Sequence, residues 1–286
     1  KHMNNLINIA IAGATGYVGL ELIKILSKHP KANLVYLCAT KSINKNINTF
    51  DKSIKNKRLP KISSINKINW NKVDLLFTAL PDGEAQKVMM NIPKKVKLID
   101  LSADFRLKNA KLYKKWYGLK HKAKRLIKDS IYGITEFSRS KLPNYKIIAC
   151  PGCYPTSIQM PLIPLFKKGL LKTKDIIIDS KSGYSGAGKN IKKKFKYKNL
   201  FDSVSAYGVG SHRHVAEIDQ ELSKFSKKSV NVSFTPHLIP MFRGILSTIY
   251  LETRGKNNAL KIYKFLKNYH KKNYFVKIAK YNSQIG

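Results

Sequence analysis

The chain has 286 residues, enough for one large or two medium domains with proper cores, and its 43% hydrophobic content excludes a disordered polymer. It carries 55 Lys+Arg against 16 Asp+Glu, a net charge of +39, but only 7 of the cations are arginine and the lysines run along the whole sequence. Lysine, asparagine and isoleucine, all abundant here, share A/T-rich codons, so base composition accounts for the charge and no specific nucleic-acid partner is expected. Three cysteines (Cys38, Cys150, Cys153) are too few for a disulfide framework, and no second ligand pair completes a zinc site, so no metal is expected. No leader pattern opens the chain and no run of about 18 apolar residues exists to span a membrane, which reads as a cytoplasmic protein.

In chain order, "LINIAIA" (6–12) reads as a buried parallel strand running into "GATGYVG" (13–19). A helical pattern follows as far as Pro30, then a second strand at "NLVYLCA". Strand, glycine turn, helix and strand make a βαβ unit. Further strands are expected at 73–80 and 97–102, with a helix after Pro81-Asp82-Gly83, while 41–72 and 107–130 are weakly patterned. From about residue 150 the character changes. Strands at 175–183, 231–239 and 244–253 alternate with helices near 155–168, 214–225 and 257–271, which predicts an α+β layer with an antiparallel or mixed sheet. Pro161 and Pro164 fall inside the first of these helices, which is therefore expected to kink or end early. The fold class is α/β, with a Rossmann-type domain over 1–152 and an α+β catalytic and dimerising domain over 153–286.

Small residues after the first strand let backbone N–H groups and a helix N-terminus approach a pyrophosphate. Gly13, Thr15, Gly16, Tyr17, Val18 and Gly19 are the candidate contacts. A unit selective for the unphosphorylated dinucleotide wants an acidic residue about 20 positions later, on the ribose 2′-OH. From Leu22 to Phe50 there is none; Thr40, Lys41 and Ser42 stand there instead, suited to a 2′-phosphate, so the expected cofactor is NADP(H).

The stretch "IACPGCYPTSI" (148–158) leaves three readings of its C-x-x-C open: a redox dithiol, half a metal site, or one working cysteine. A nicotinamide enzyme with a thiolate can hold an acyl group as a thioester, and such a thiol needs a helix N-terminus and a nearby base. Cys153 precedes Pro155, a favoured opening residue of a helix, whereas Cys150 lies earlier in the loop. Of seven histidines, His212 and His214 in "GSHRHVAEIDQEL" are expected on one side of an extended segment, with Arg213 turned away; His237, between prolines, reads as structural.

"GATGYVG", "IDLSADFRL", "YGITE", "PGCYPT", "KSGYSGAGK", "HRHVAEI" and "FTPHLIPMFRGI" stand in the order found in N-acetyl-γ-glutamyl-phosphate reductases, relatives of the aspartate-semialdehyde dehydrogenases, and the chain resembles that family from about residue 6 to 254. The resemblance implies NADPH-dependent reduction of an acyl phosphate to the semialdehyde in arginine biosynthesis, by a homodimer or homotetramer. It implies Cys153 as nucleophile acting alone, His212 as acid/base, and Arg106, Ser182, Ser185, Tyr207 and His214 as substrate contacts. Cys150 replaces the family's asparagine and Asp82 the histidine of "LPHG". Family members also continue, past the point corresponding to Gly286, with a helix that returns to the cofactor domain, so weak cofactor binding is expected of this chain alone. The rival readings are a lysine-pathway aminoadipyl-phosphate reductase and a nucleic-acid-binding protein on an eroded enzyme scaffold.

Overall fold

The computed structural model describes residues 6–55, 58–189 and 202–284, and the chain divides into two compact units. The first comprises Lys1–Pro151 with Gly188–Asn190, the second Gly152–Ala187 with Ile191–Gly286.

The first unit is built on seven parallel strands: β1 (Ile7–Ala12), β2 (Ala32–Cys38), β3 (Ile62–Ser63), β4 (Leu75–Thr78), β5 (Lys97–Asp100), β6 (Ser130–Tyr132) and β7 (Ile147–Ala149), in the order β3-β2-β1-β4-β5-β7-β6. β1 is apolar on both faces because both are covered. Ile9 and Ile11 join a core with Leu20 and Ile23 of α1 (Tyr17–Leu26), while Ala10 and Ala12 join one with Ala85 and Met89 of α2 (Glu84–Met90). The chain leaves β1 toward β2 on one side and β4 toward β5 on the other, so the turn after β1 lies at the carboxyl edge where the winding reverses.

The "IDLSADFR" stretch is a buried hydrogen-bond hub. Asp100, fully buried, accepts from Thr78 Oγ1 at 2.7 Å and from the N–H and hydroxyl of Ser102, each at 2.9 Å; burial pushes its carboxyl above the ordinary range. Asp104, also fully buried, accepts from the N–H of Gly83 (2.7 Å) and of Gln86 (3.1 Å), satisfying orphan donors at the start of α2, and from Tyr113 Oη at 2.7 Å. Tyr113 lies on α3 (Ala110–Tyr117), a helix inside a stretch whose sequence shows little pattern; the Asn109 side chain caps it and Gly118 ends it at φ 69°. A short α4 (Thr135–Ser138) precedes β7.

The second unit has a mixed four-stranded sheet, in keeping with the sequence pattern: β8 (Ile176–Gly183), β9 (Ser205–Ala206), β10 (Val232–Ile239) and β11 (Ile245–Tyr250), in the order β11-β8-β10-β9. β10 runs parallel to β8; β9 and β11 pair antiparallel with their neighbours. Against it pack α5 (Cys153–Lys167) and α6 (His214–Ser226), and α5 also meets α7 (Ala259–Tyr269).

α5 corrects half of one expectation, that it would end early. It does not stop at its prolines but runs 15 residues through both Pro161 and Pro164. Pro164 has no N–H to give the carbonyl of Met160, four residues back. The buried His270, at the end of α7, supplies a donor there: its Nε2 lies 3.2 Å from Met160 O, while Asn273 Nδ2 sits 2.9 Å from Nδ1 and fixes the tautomer. A tertiary partner thus repairs the helix. Substituting His270→Leu should strand that carbonyl and cost about 1–3 kcal/mol of stability in urea unfolding, with Asn273→Ala costing less; equal stability of His270→Leu and the unaltered chain would refute the repair.

Candidate functional site

In the first unit the glycines of the β1–α1 turn have steric reasons to be glycine. Gly13 has φ 87°, and a side-chain carbon there would lie 2.3 Å from the carbonyl oxygen of Ala79; one on Gly19 would lie 2.2 Å from Gly13 O. The turn is therefore a close backbone cradle opening onto the N-terminus of α1, and this fits a pyrophosphate. Gly16 serves as the extended N-cap, Tyr17 and Val18 open the helix, and Val18 is exposed. Thr15 offers its carbonyl to Lys189 Nζ at 2.7 Å, and that ammonium also stands 5.3 Å from the centre of the Tyr17 ring. Lys189, the last residue of "KSGYSGAGK", thus places a positive charge on the cradle, a role its position in sequence did not reveal. Past the end of β2, Thr40 and Lys41 are exposed, and Ser42 adopts the left-handed region at φ 65°.

Arg106, in the same unit, is buried. It donates from Nε to Cys150 O at 2.7 Å and from a terminal nitrogen to Leu101 O at 3.0 Å, tying the carboxyl ends of β5 and β7 together. The expected anion-binding arginine thus spends donors on backbone carbonyls. Cys150 N donates to Asp100 O at 2.8 Å, and burial, followed by the nearby Asp100, pushes its thiol up to about 11. All three cysteines are free thiols.

In the second unit α5 begins at Cys153 itself, with Gly152 as an extended N-cap, two residues before the proline expected to open it. Cys153 is exposed at this N-terminus, where backbone N–H groups and the helix dipole favour negative charge. The lead-in is held by Glu217 of α6, a fully buried residue whose Oε2 accepts from Gly152 N at 3.0 Å and whose Oε1 lies 4.0 Å from His214 Nε2. His214 packs so tightly on Gly152 that a side-chain carbon there would meet its Nε2 at 2.5 Å. Glu217 follows His214 by three residues, one helical step, and that spacing in "HVAEI" was the signal available for it.

His212 and His214 do lie together, their ring centroids 4.8 Å apart, but not through strand alternation. Residues 208–213 form turns, Arg213 has helical dihedrals (φ −57°, ψ −29°), and His214 is the first residue of α6. What gathers the rings is Tyr154, whose ring meets His212 edge-on at 5.5 Å and His214 at 5.8 Å. The Tyr154 hydroxyl in turn lies 2.9 Å from that of Tyr207, whose ring also meets His212 edge-on. Ser182 is buried on β8 and donates to Gly183 O at 3.0 Å, while Ser185 is held by its N–H on Phe242 O at 2.9 Å. The structure therefore brings Cys153, Tyr154, Tyr207, His212, His214 and Glu217 into one region of the second unit. His237 stands elsewhere on the sheet, its Nδ1 3.0 Å from Asp179 Oδ1.

Sequence comparison is consistent with this geometry. Residues 8–145 match the model of the semialdehyde dehydrogenase NAD binding domain, and 153–285 that of the semialdehyde dehydrogenase dimerisation domain. The N-acetyl-gamma-glutamyl-phosphate reductase of Rhodospirillum rubrum is 41% identical over 97% of this chain and 80% of its own length. The probable chloroplastic N-acetyl-gamma-glutamyl-phosphate reductase of Arabidopsis thaliana is 41% identical over 95% of this chain and 68% of its own length. The chain belongs to the N-acetyl-γ-glutamyl-phosphate reductase family. It is an oxidoreductase of the semialdehyde dehydrogenase group, with a nicotinamide-nucleotide-binding unit. Among solved structures, aspartate semialdehyde dehydrogenase II from Vibrio cholerae shares the fold at TM-score 0.67 and 18% identity, over 92% of this chain and 79% of that one. The Candida albicans enzyme with NADP does so at TM-score 0.59 and 17% identity, over 92% and 76%.

Burial, then the neighbouring His214 and Arg213, lowers the His212 pKa to about 4. At neutral pH its imidazole is uncharged and able to accept a proton. The folded value lies below the unfolded one, so the unfolded chain binds more protons between about pH 6.5 and 4, and His212 costs stability as pH falls through that window. NMR titration should find the His212 ring still neutral at pH 5; a midpoint near 6.5 would contradict the packing described.

Proposed function

We propose that this chain reduces N-acetyl-γ-glutamyl phosphate to N-acetylglutamate semialdehyde with NADPH, through a thioester on Cys153. The observation that carries the proposal is an exposed cysteine at the first position of a 15-residue helix, in a family whose named members are reductases of this acyl phosphate. His212, neutral at working pH, takes the thiol proton. The thiolate attacks the γ-carbonyl carbon, the bond to the phosphate oxygen breaks, and phosphate departs with its electron pair. Glu217 and His214 keep the Gly152 turn fixed, so the amides at the head of α5 stay directed at the developing oxyanion. When bound, the reduced nicotinamide supplies the hydride that converts the thioester to aldehyde as the carbon–sulfur bond breaks. The imidazolium formed earlier is then the proton source for the leaving thiolate.

Gly13 to Gly19 and Lys189 would hold the cofactor's phosphates in the first unit, and Thr40, Lys41 and Ser42 its 2′-phosphate. Tyr207, Ser182 and Ser185 are the substrate contacts of this reading, and Arg106 serves it by fixing the carbonyl that precedes "PGC". The second unit is the dimerising one. Ile177, Leu246 and Tyr250 are exposed, and in the β8–β11 register they share the face of the sheet turned away from α5 and α6. Among the described residues no helix is long and apolar enough to cross a membrane, and we assign the chain to the cytoplasm.

Three outcomes test the proposal. NADPH should be preferred to NADH, since losing a charge-assisted phosphate contact costs about 1.5–3 kcal/mol, and equal kcat/KM for the two would remove the 2′-phosphate site. Cys153→Ser should abolish reduction of the acyl phosphate while Cys150→Asn retains it, because the Cys150 thiol stays protonated at neutral pH; the reverse pattern would reassign the nucleophile. His212→Asn should slow turnover by about 10²–10⁴ and leave NADPH affinity unchanged.

A further inference from the structure

Away from the cofactor cradle, the first unit holds a cleft of about 940 Å³ beside the end of α2. Its apolar side is formed by Met89, Met90, Ile92 and Leu126. Six cations stand around it: Lys94, Lys120, Lys122, Lys124, Arg125 and Lys146. They are half of the twelve residues lining the cleft, against 55 of 286 in the chain, so the local density exceeds what the general lysine excess supplies. None of the six is in an ion pair with a carboxylate among the described residues. Burial lowers the pKa of Lys146, with the nearby Asp129 opposing that shift and Lys94 reinforcing it.

A second observation specifies more than charge. His121 lines the cleft and is 1% exposed; its Nε2 sits 2.8 Å from Asp104 O, a carbonyl that can only accept, so Nε2 carries the proton. Nδ1 is then a buried acceptor, and it has no hydrogen-bond partner. Burial keeps the ring neutral by lowering its pKa. A fully deprotonated inorganic anion satisfies the cations but has no hydrogen to donate to this nitrogen, and any inorganic anion leaves the apolar wall uncovered. A ligand matching all three features has an apolar, flat body for the methionine wall, a hydroxyl or N–H to donate to Nδ1, and several negative charges. Lys94 and Lys146 stand just before β5 and β7, at the amino edge of the sheet, whereas the Gly13–Gly19 turn lies at the carboxyl edge. The cleft is therefore separate from the dinucleotide cradle.

We propose that this cleft is a second ligand site, for an organic polyanion of the nucleoside-phosphate class. The probe is ATP, titrated calorimetrically into the full chain with NADP⁺ at saturation, beside adenosine and inorganic tripolyphosphate. ATP should bind with NADP⁺ present, and both fragments should bind at least about tenfold more weakly, since each lacks one of the contacts. Lys124→Glu should weaken ATP by about tenfold or more without changing NADP⁺ affinity. Lys120→Gln serves the same purpose should Lys124→Glu unfold, as judged by circular dichroism. Lys267→Glu, on α7 of the other unit, should change neither. Displacement of ATP by NADP⁺, tripolyphosphate binding as tightly as ATP, or equal weakening by Lys267→Glu would each overturn the site, the last two by reducing it to general attraction.

Discussion

The candidate site depends on one buried hydrogen bond, from Gly152 N–H to the Glu217 carboxylate. A carboxylate with no solvent exposure is costly unless its oxygens are used, and here both are placed: one on the Gly152 amide, the other toward His214. The arrangement forces α5 and α6 to meet at their N-termini. It sets the dihedrals of the turn so that Cys153 becomes the first residue of α5, and it brings His214, then His212, against Tyr154. Only glycine fits at 152, because the imidazole occupies the space of a side chain. The placement of Cys153, His212 and His214 thus follows from a single buried contact.

Much of this was legible in sequence, because the features concerned are local. An apolar run on both faces, a glycine turn and a helical repeat specify a β–α–β start wherever they occur. The steric demands at Gly13 and Gly19 show why those positions admit nothing larger. β8 was readable as a strand from its isoleucine run, but not which side faces inward: of three identical residues, Ile176 and Ile178 are buried and Ile177 is not. What escaped the sequence rests on partners far along the chain. Nothing near Pro164 announces that His270 will take the carbonyl of Met160, and α3 is hidden because only Tyr113 of its residues is buried. The pairing of His212 with His214 was anticipated, but for a wrong reason: alternation in an extended segment rather than an aromatic ring gathering a loop residue and the first residue of α6.

Cys150 and Cys153 show how little a spacing motif says about chemistry. They are three positions apart, yet one sits behind β7 beside the Asp100 carboxyl and the other opens a helix in solvent. Desolvation and a neighbouring acid both disfavour a thiolate at Cys150, whereas the α5 N-terminus favours one at Cys153. A redox dithiol needs two sulfurs able to exchange electrons through a shared thiolate. With the Cys150 thiol pushed up to about 11 and Cys153 exposed at a helix start, the two sulfurs are chemically unequal, and the proposed reading needs only the second.

The same logic of competing charges governs the histidines. Two imidazoles with centroids 4.8 Å apart in a partly desolvated pocket do not both ionise readily, and each proton taken by one raises the cost of the next. Glu217 favours the proton on His212, but this effect is smaller than those of desolvation and of the neighbouring His214 and Arg213. The balance leaves His212 neutral at pH 7, which suits the group proposed above to accept a proton from a thiol. It also makes the imidazolium, once formed, a stronger acid than ordinary histidine, so the proton is readily returned. A base that releases its proton easily suits the two-stage acyl transfer proposed above, and burial beside a second histidine is what weakens its hold on the proton.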